Sequence, residues 1–107
     1  MVVNVRDDIA QLVAHLVDGY GAETVILYGS AARGQVTEDS DIDLVVVKKT
    51  GADFFDRLRE VADICRWHRA VDVLVYTPEE FAEMRRHSGF IRDEVLKKGI
   101  VLHGQAA

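Results

Sequence analysis

Asp41 and Asp43 stand one residue apart at the mouth of an apolar run, Ile42 to Val47. Side chains two apart on a strand share a face, so both carboxylates point the same way. Two unit charges about 4 Å apart repel by about 4 kcal/mol at an effective dielectric of about 20. A fold tolerates such a pair when a proton or a cation resolves the repulsion, and a divalent cation is the reading taken here. Oxygen donors suit Mg²⁺ or Mn²⁺, whereas the lone Cys65 gives no zinc-like cluster. Upstream, the apolar run Val25 to Tyr28 ends abruptly in Gly29-Ser30. Glycine permits close approach of a ligand, free N–H groups at a helix start favour an anion such as phosphate, and Ser30 adds a hydroxyl donor. Alone, the Gly-Ser pair also fits an ordinary turn, and Asp41 alone fits a strand-entry residue.

These residues need a scaffold, and the apolar spacing predicts one. Ile9, Leu12, Val13, Leu16 and Val17 form one stripe of a helix over Asp7 to Asp18, with Gly19 and Gly21 as its stop. Strand one is Thr24 to Tyr28. Gly29 to Gly34 is a small-residue turn that can open into a short helix, and Gln35 to Ser40 is a polar loop. Strand two, Ile42 to Lys48, is apolar at consecutive positions and therefore central in its sheet. A helix over Asp53 to Trp67 follows, with Phe54, Leu58, Val61, Ala62 and Cys65 on its apolar face. Strand three is Val71 to Tyr76. Thr77-Pro78-Glu79-Glu80 starts the next helix, with Thr77 as N-cap, Pro78 at N1 and Glu80 closing a capping box. That helix ends near His87, Ser88-Gly89 breaks the chain, and Phe90 to Lys98 forms the last helix. Gly99 stops it, and Ile100 to Leu102 forms a short edge strand. Strands one and two are too closely connected for a full βαβ unit. The expected architecture is therefore α/β (α+β): a small mixed sheet with helices mainly on one face.

The chain has 107 residues, 49% of them hydrophobic and 29% charged, which fits one domain over 1–107 with a flexible tail from about 104. No apolar run reaches the roughly 18 residues of a membrane span, and no secretory signal is visible. A single cysteine cannot form an internal disulfide and fits a reducing cytoplasm. The net charge of −5 argues against nucleic acid as the main partner.

Gly-Ser, ten intervening residues, then Asp-x-Asp, set between two strands, resembles the signature of the DNA polymerase beta-like nucleotidyltransferase superfamily. Gly34 and Ser40-Asp41 match further features of its small members. That superfamily also uses a third acidic residue on a later strand, and Asp72 meets the need within the otherwise apolar stretch Ala70 to Tyr76. An aspartate there is costly to bury unless paired or metal-bound; a strand-edge position facing water is the alternative. In length and in its final helix and strand, Phe90 to Leu102, the chain resembles the minimal nucleotidyltransferase group. The resemblance implies the nucleotidyltransferase fold and transfer of a nucleotide assisted by two metal ions. Asp41, Asp43 and Asp72 would be catalytic and would bind two Mg²⁺ ions, with Mn²⁺ as a substitute. Gly29, Ser30, Arg33 and Ser40 would hold the phosphates of ATP, although Arg33 equally fits a solvated arginine. Members of the group act as antitoxins beside a HEPN-family ribonuclease toxin, implied to transfer AMP from ATP onto a toxin tyrosine. Non-catalytic occlusion of a toxin and transfer to a small molecule such as an aminoglycoside are the competing expectations. The brevity of the chain favours a protein acceptor that brings its own surface.

Overall fold

A computed structural model describes residues 5–35, 41–66 and 70–105. The chain opens with helix α1 (Val5–His15), which continues through a wider π-type turn, Leu16–Tyr20. Strand β1 (Thr24–Tyr28), the four-residue helix α2 (Gly29–Ala32) and strand β2 (Ile42–Val47) follow. Helix α3 (Phe54–Cys65), strand β3 (Val71–Tyr76), helix α4 (Pro78–His87), a π-type helix α5 (Phe90–Lys97) and strand β4 (Ile100–His103) complete the order. The first helix runs through Gly19 and stops at Gly21, whose φ of +83° provides the left-handed exit. Thr77 and Glu80 form the expected capping box, and Asp53 caps α3 by accepting from the Asp56 N–H at 2.8 Å. No helix among the described residues is long and apolar enough to cross a membrane.

The sheet order is β3-β2-β1-β4, with β1 antiparallel to both β2 and β4 and β2 parallel to β3. β2 is interior and β4 is an edge, as its short apolar stretch predicts. Alternation then sorts the side chains onto two faces. Val25, Leu27, Ile42, Leu44, Val46, Val73 and Val75 point to the first face, where α1 supplies Leu12 and Leu16 and α3 supplies Val61 and Cys65. Burial pushes the Cys65 thiol up to about 11, so it stays protonated as a small core residue.

The expected placement of helices mainly on one face needs a correction. The larger core does lie on the first face, but α4 and α5 cover the second, packing Phe81, Ile91 and Val95 onto Ile26, Val45 and Val47. The reason is β2 itself: Leu44 to Val47 are all buried, and an apolar strand on both faces needs cover on both. On α3, Phe54 and Ala62 face outward, while Arg57 and Ile64 turn in. Residues 104 and 105, where the flexible tail was expected to begin, lie against the start of β1: Thr24 Oγ1 donates to the Gln105 carbonyl at 3.1 Å.

Arg57 fastens the end of the sheet that lies away from Asp41 and Asp43. It is 6% exposed. Its Nε donates to the Ala52 carbonyl at 2.8 Å and its Nη1 to the Val75 carbonyl at 3.3 Å. The guanidinium also grips the Glu80 carboxylate through both nitrogens, at 2.6 and 3.3 Å. This hydrogen-bonded arginine lowers the Glu80 carboxyl below its ordinary value. The folded chain therefore binds that proton less readily than the unfolded one. The resulting stability is present above the ordinary glutamate range and is lost as pH falls through the lowered value. Arg57→Met should cost about 2 kcal/mol in urea unfolding at pH 7, because it takes the guanidinium donors from two carbonyls and the counter-charge from Glu80. The gap between wild type and variant should narrow on acidification, and a gap independent of pH would refute the ion-pair account.

Candidate active site

The candidate residues gather at the end of the sheet where β1 finishes and β2 and β3 begin. Tyr28, the last residue of β1, lies opposite Asp43 in the antiparallel register, and Asp72 lies opposite Asp43 on the other side in the parallel register. Neighbouring strands run about 4.8 Å apart, so the two carboxylates share one face of the sheet. Their side chains are within hydrogen-bonding reach of each other. Asp43 is half-buried, Asp72 is exposed at the strand start, and Asp41 is exposed just before β2. Asp72 thus takes the water-facing position, with its carboxylate beside that of Asp43.

Burial, then the charges of Asp72 and Asp41, then the hydrogen bond to Asp72, raise the Asp43 carboxyl above its ordinary value. Carboxylates so arranged hold a proton between them or release it to a cation. Among the described residues no three His, Cys, Asp or Glu side chains form a ready-made cage. The site is a pair, Asp43 and Asp72, with Asp41 at its lip. An all-oxygen donor set of this kind fits Mg²⁺ or Mn²⁺.

The turn after β1 closes onto the same carboxylates. Gly29 has φ +75°, and a Cβ built there would lie 2.6 Å from Asp43 Oδ2. Ser30 follows in α2, and its carbonyl accepts from the N–H groups of Arg33 and Gln35 at 3.1 and 3.0 Å, winding the turn tightly. Arg33 is exposed and pairs with Glu94 of α5 at 3.5 Å. Ser40 lies outside the described residues, as does His68. Tyr28 is half-buried, with its ring edge-on to Phe90 at 5.3 Å. Burial and the charges of Asp43 and Asp72 push its phenol up to about 12, so it remains neutral.

Several residues weighed for the site lie elsewhere. Tyr76 ends β3 at the far end of the register and packs on Phe81. Lys48, just past β2 at that same end, sits over the Tyr20 ring at 3.6 Å. Arg86 and His87 pair with Glu83 on the surface of α4. Phe90 and Glu94 are the neighbours that sequence reasoning missed. Only the T-shaped contact and the ion pair reveal them, since they sit on a helix 47 and 51 residues beyond Asp43.

A four-stranded mixed sheet whose central strand carries a carboxylate against a glycine–serine turn is the framework of a nucleotide-transferring enzyme. Residues 9–102 match the family model described as the nucleotidyltransferase domain, and the chain belongs to that family. Among solved structures, one from Sulfolobus solfataricus, described as a nucleotidyltransferase, superposes with a TM-score of 0.62 at 24% identity. The match covers 89% of this chain and 76% of that one. A mutant of the toxin–antitoxin MntA-HpeT superposes with a TM-score of 0.61 at 25% identity, over 97% of this chain and 75% of that one. A toxin–antitoxin with AMP-PNP gives 0.58 at 22%, over 95% and 75%. No curated relative matches.

Proposed function

We propose that this nucleotidyltransferase uses ATP and Mg²⁺ to place AMP on a tyrosine hydroxyl of a HEPN-family toxin, and so acts as an antitoxin in the cytoplasm. The observation that carries the chemistry is the register that sets Asp43 against Asp72, with Gly29 closing on the same carboxylate. The partner reading draws support from the two toxin–antitoxin structures of similar fold, one of them with AMP-PNP.

Each residue has a task in that reaction. Gly29 and Ser30 receive the phosphates where no side chain blocks the backbone, and Arg33 adds a cation beside them. Asp41, Asp43 and Asp72 would hold two Mg²⁺ ions, which when bound neutralise the phosphate charge and stabilise the entering and leaving oxygens. Asp72, the most exposed of the paired carboxylates, faces the acceptor and takes the hydroxyl proton. The acceptor oxygen bonds to the α-phosphorus, the α–β bridging bond breaks, and pyrophosphate leaves. Tyr28 stays neutral and packs the wall.

The test is intact-mass measurement of a HEPN-family toxin that binds this chain, after incubation with ATP and Mg²⁺. One or more AMP increments on a tyrosine are expected. Neutralisation of the toxin with no increment, unchanged when Asp41 and Asp43 are both replaced by Asn, would establish occlusion instead.

A further inference from the structure

We infer that Lys98 joins Arg33 in an anion-binding rim for the β- and γ-phosphates, with Glu94 as the residue that holds the two cations in place. The inference rests on the nucleotide reading above. Glu94 Oε2 lies 3.5 Å from Arg33 Nη1, and Glu94 Oε1 lies 3.0 Å from Lys98 Nζ. One carboxylate thus stands between two cations and neutralises only one of them. The cluster keeps a net positive charge in a chain whose formal net charge is −5.

Its position gives that charge a use. Arg33 caps the short helix that begins at Gly29. Lys98 closes α5, one residue before Gly99, and Ile100 then pairs with Leu27 of β1. A Cβ at Gly99 would lie 2.9 Å from the Leu27 carbonyl, so the end of α5 is pressed against the end of β1. Arg33 and Lys98 therefore flank Glu94 on the two elements that adjoin the end of β1, Arg33 on α2 and Lys98 at the close of α5. A diphosphate or triphosphate tail is the ligand class that needs two such cations, and a monophosphate is too short to engage them fully. Both side chains remain about half exposed, so each can turn further N–H donors to a phosphate while Glu94 holds it in place.

Calorimetric titration with AMP-PNP and Mg²⁺, with AMP as the control, tests the rim. Lys98→Gln should weaken AMP-PNP about fivefold, the effect of one exposed charge-assisted contact, and shift AMP less than twofold. Lys98→Arg should restore the affinity. Glu94→Gln removes a negative charge yet should weaken AMP-PNP, because the cations lose their holder; tighter binding would overturn that role. Wild-type binding that Lys98→Gln leaves within twofold, or AMP weakened as much as AMP-PNP, would overturn the rim and leave the nucleotide reading standing. Failure of the wild type to bind AMP-PNP at all would overturn both. Lys98 is exposed, so an unchanged thermal midpoint should accompany these results.

Discussion

Asp43→Asn should abolish nucleotide transfer while making the metal-free protein more stable. The loss of activity is expected to be about 1,000-fold or more, equivalent to about 4 kcal/mol of transition-state stabilisation. Asn keeps the shape of the side chain but removes the charge that a divalent cation requires. The gain in stability comes from the same charge. Asp43 is half-buried between Asp72 and Asp41, and its carboxyl is raised above the ordinary aspartate value. The folded state therefore holds that proton more tightly than the unfolded chain does. The associated stability is full below the ordinary aspartate range and disappears as pH rises through the raised value. At pH 7 the wild type lacks it, whereas Asn stays neutral throughout. Thermal melts without metal should place the variant about 2–5 °C above wild type at pH 7, given about 4–8 °C per kcal/mol for a domain of this size. The two curves should converge in acid. Adding Mg²⁺ with AMP-PNP should raise the wild-type midpoint and leave the variant where it was. A variant less stable than wild type at pH 7 would show that Asp43 makes favourable contacts beyond those described, and activity above one tenth would remove it from the reaction.

That trade between stability and chemistry explains which parts of the fold could be read in advance. Helix starts and strand interiors obey local rules, so Thr77-Pro78-Glu79-Glu80 and the all-apolar Leu44 to Val47 declared themselves. Asp41 and Asp43 stood out at the entry to β2 because two like charges two residues apart interrupt an otherwise apolar run. Asp72 needed the resemblance, because register between β2 and β3 depends on how α3 crosses the sheet, and no local spacing encodes that. The two-sided cover of β2 was implicit in its sequence, but which helices supply it is a tertiary outcome. Nothing in the local sequence marks Arg57 for burial. It is buried because three acceptors, at Ala52, Val75 and Glu80, converge from separate elements. Glu94 is the same case at the active end: its spacing to Lys98 is an ordinary i,i+4 pair, and only the packing of α5 against β1 brings Arg33 to it.

Gly29→Ala separates the two demands that this glycine meets, and Gly34→Ala is its control. Both glycines have nearly the same φ, +75° and +76°. Each alanine pays the left-handed penalty of about 1–2 kcal/mol. Their surroundings differ. A Cβ at Gly34 meets nothing within 4 Å, whereas one at Gly29 would lie 2.6 Å from Asp43 Oδ2. Something must move, and the carboxylate is the freer party, since Gly29 is the first residue of α2 and follows β1 directly. Rotation of that carboxylate takes it out of line with Asp72. Both variants should therefore fold with similar, modest losses in a urea melt. Gly34→Ala should keep transfer within about fivefold of wild type, whereas Gly29→Ala should lose about 100-fold, about 2.7 kcal/mol. Equal losses of activity would mean that backbone strain alone governs the turn. An active Gly29→Ala would mean that Asp43 works from a rotamer other than the one facing Gly29.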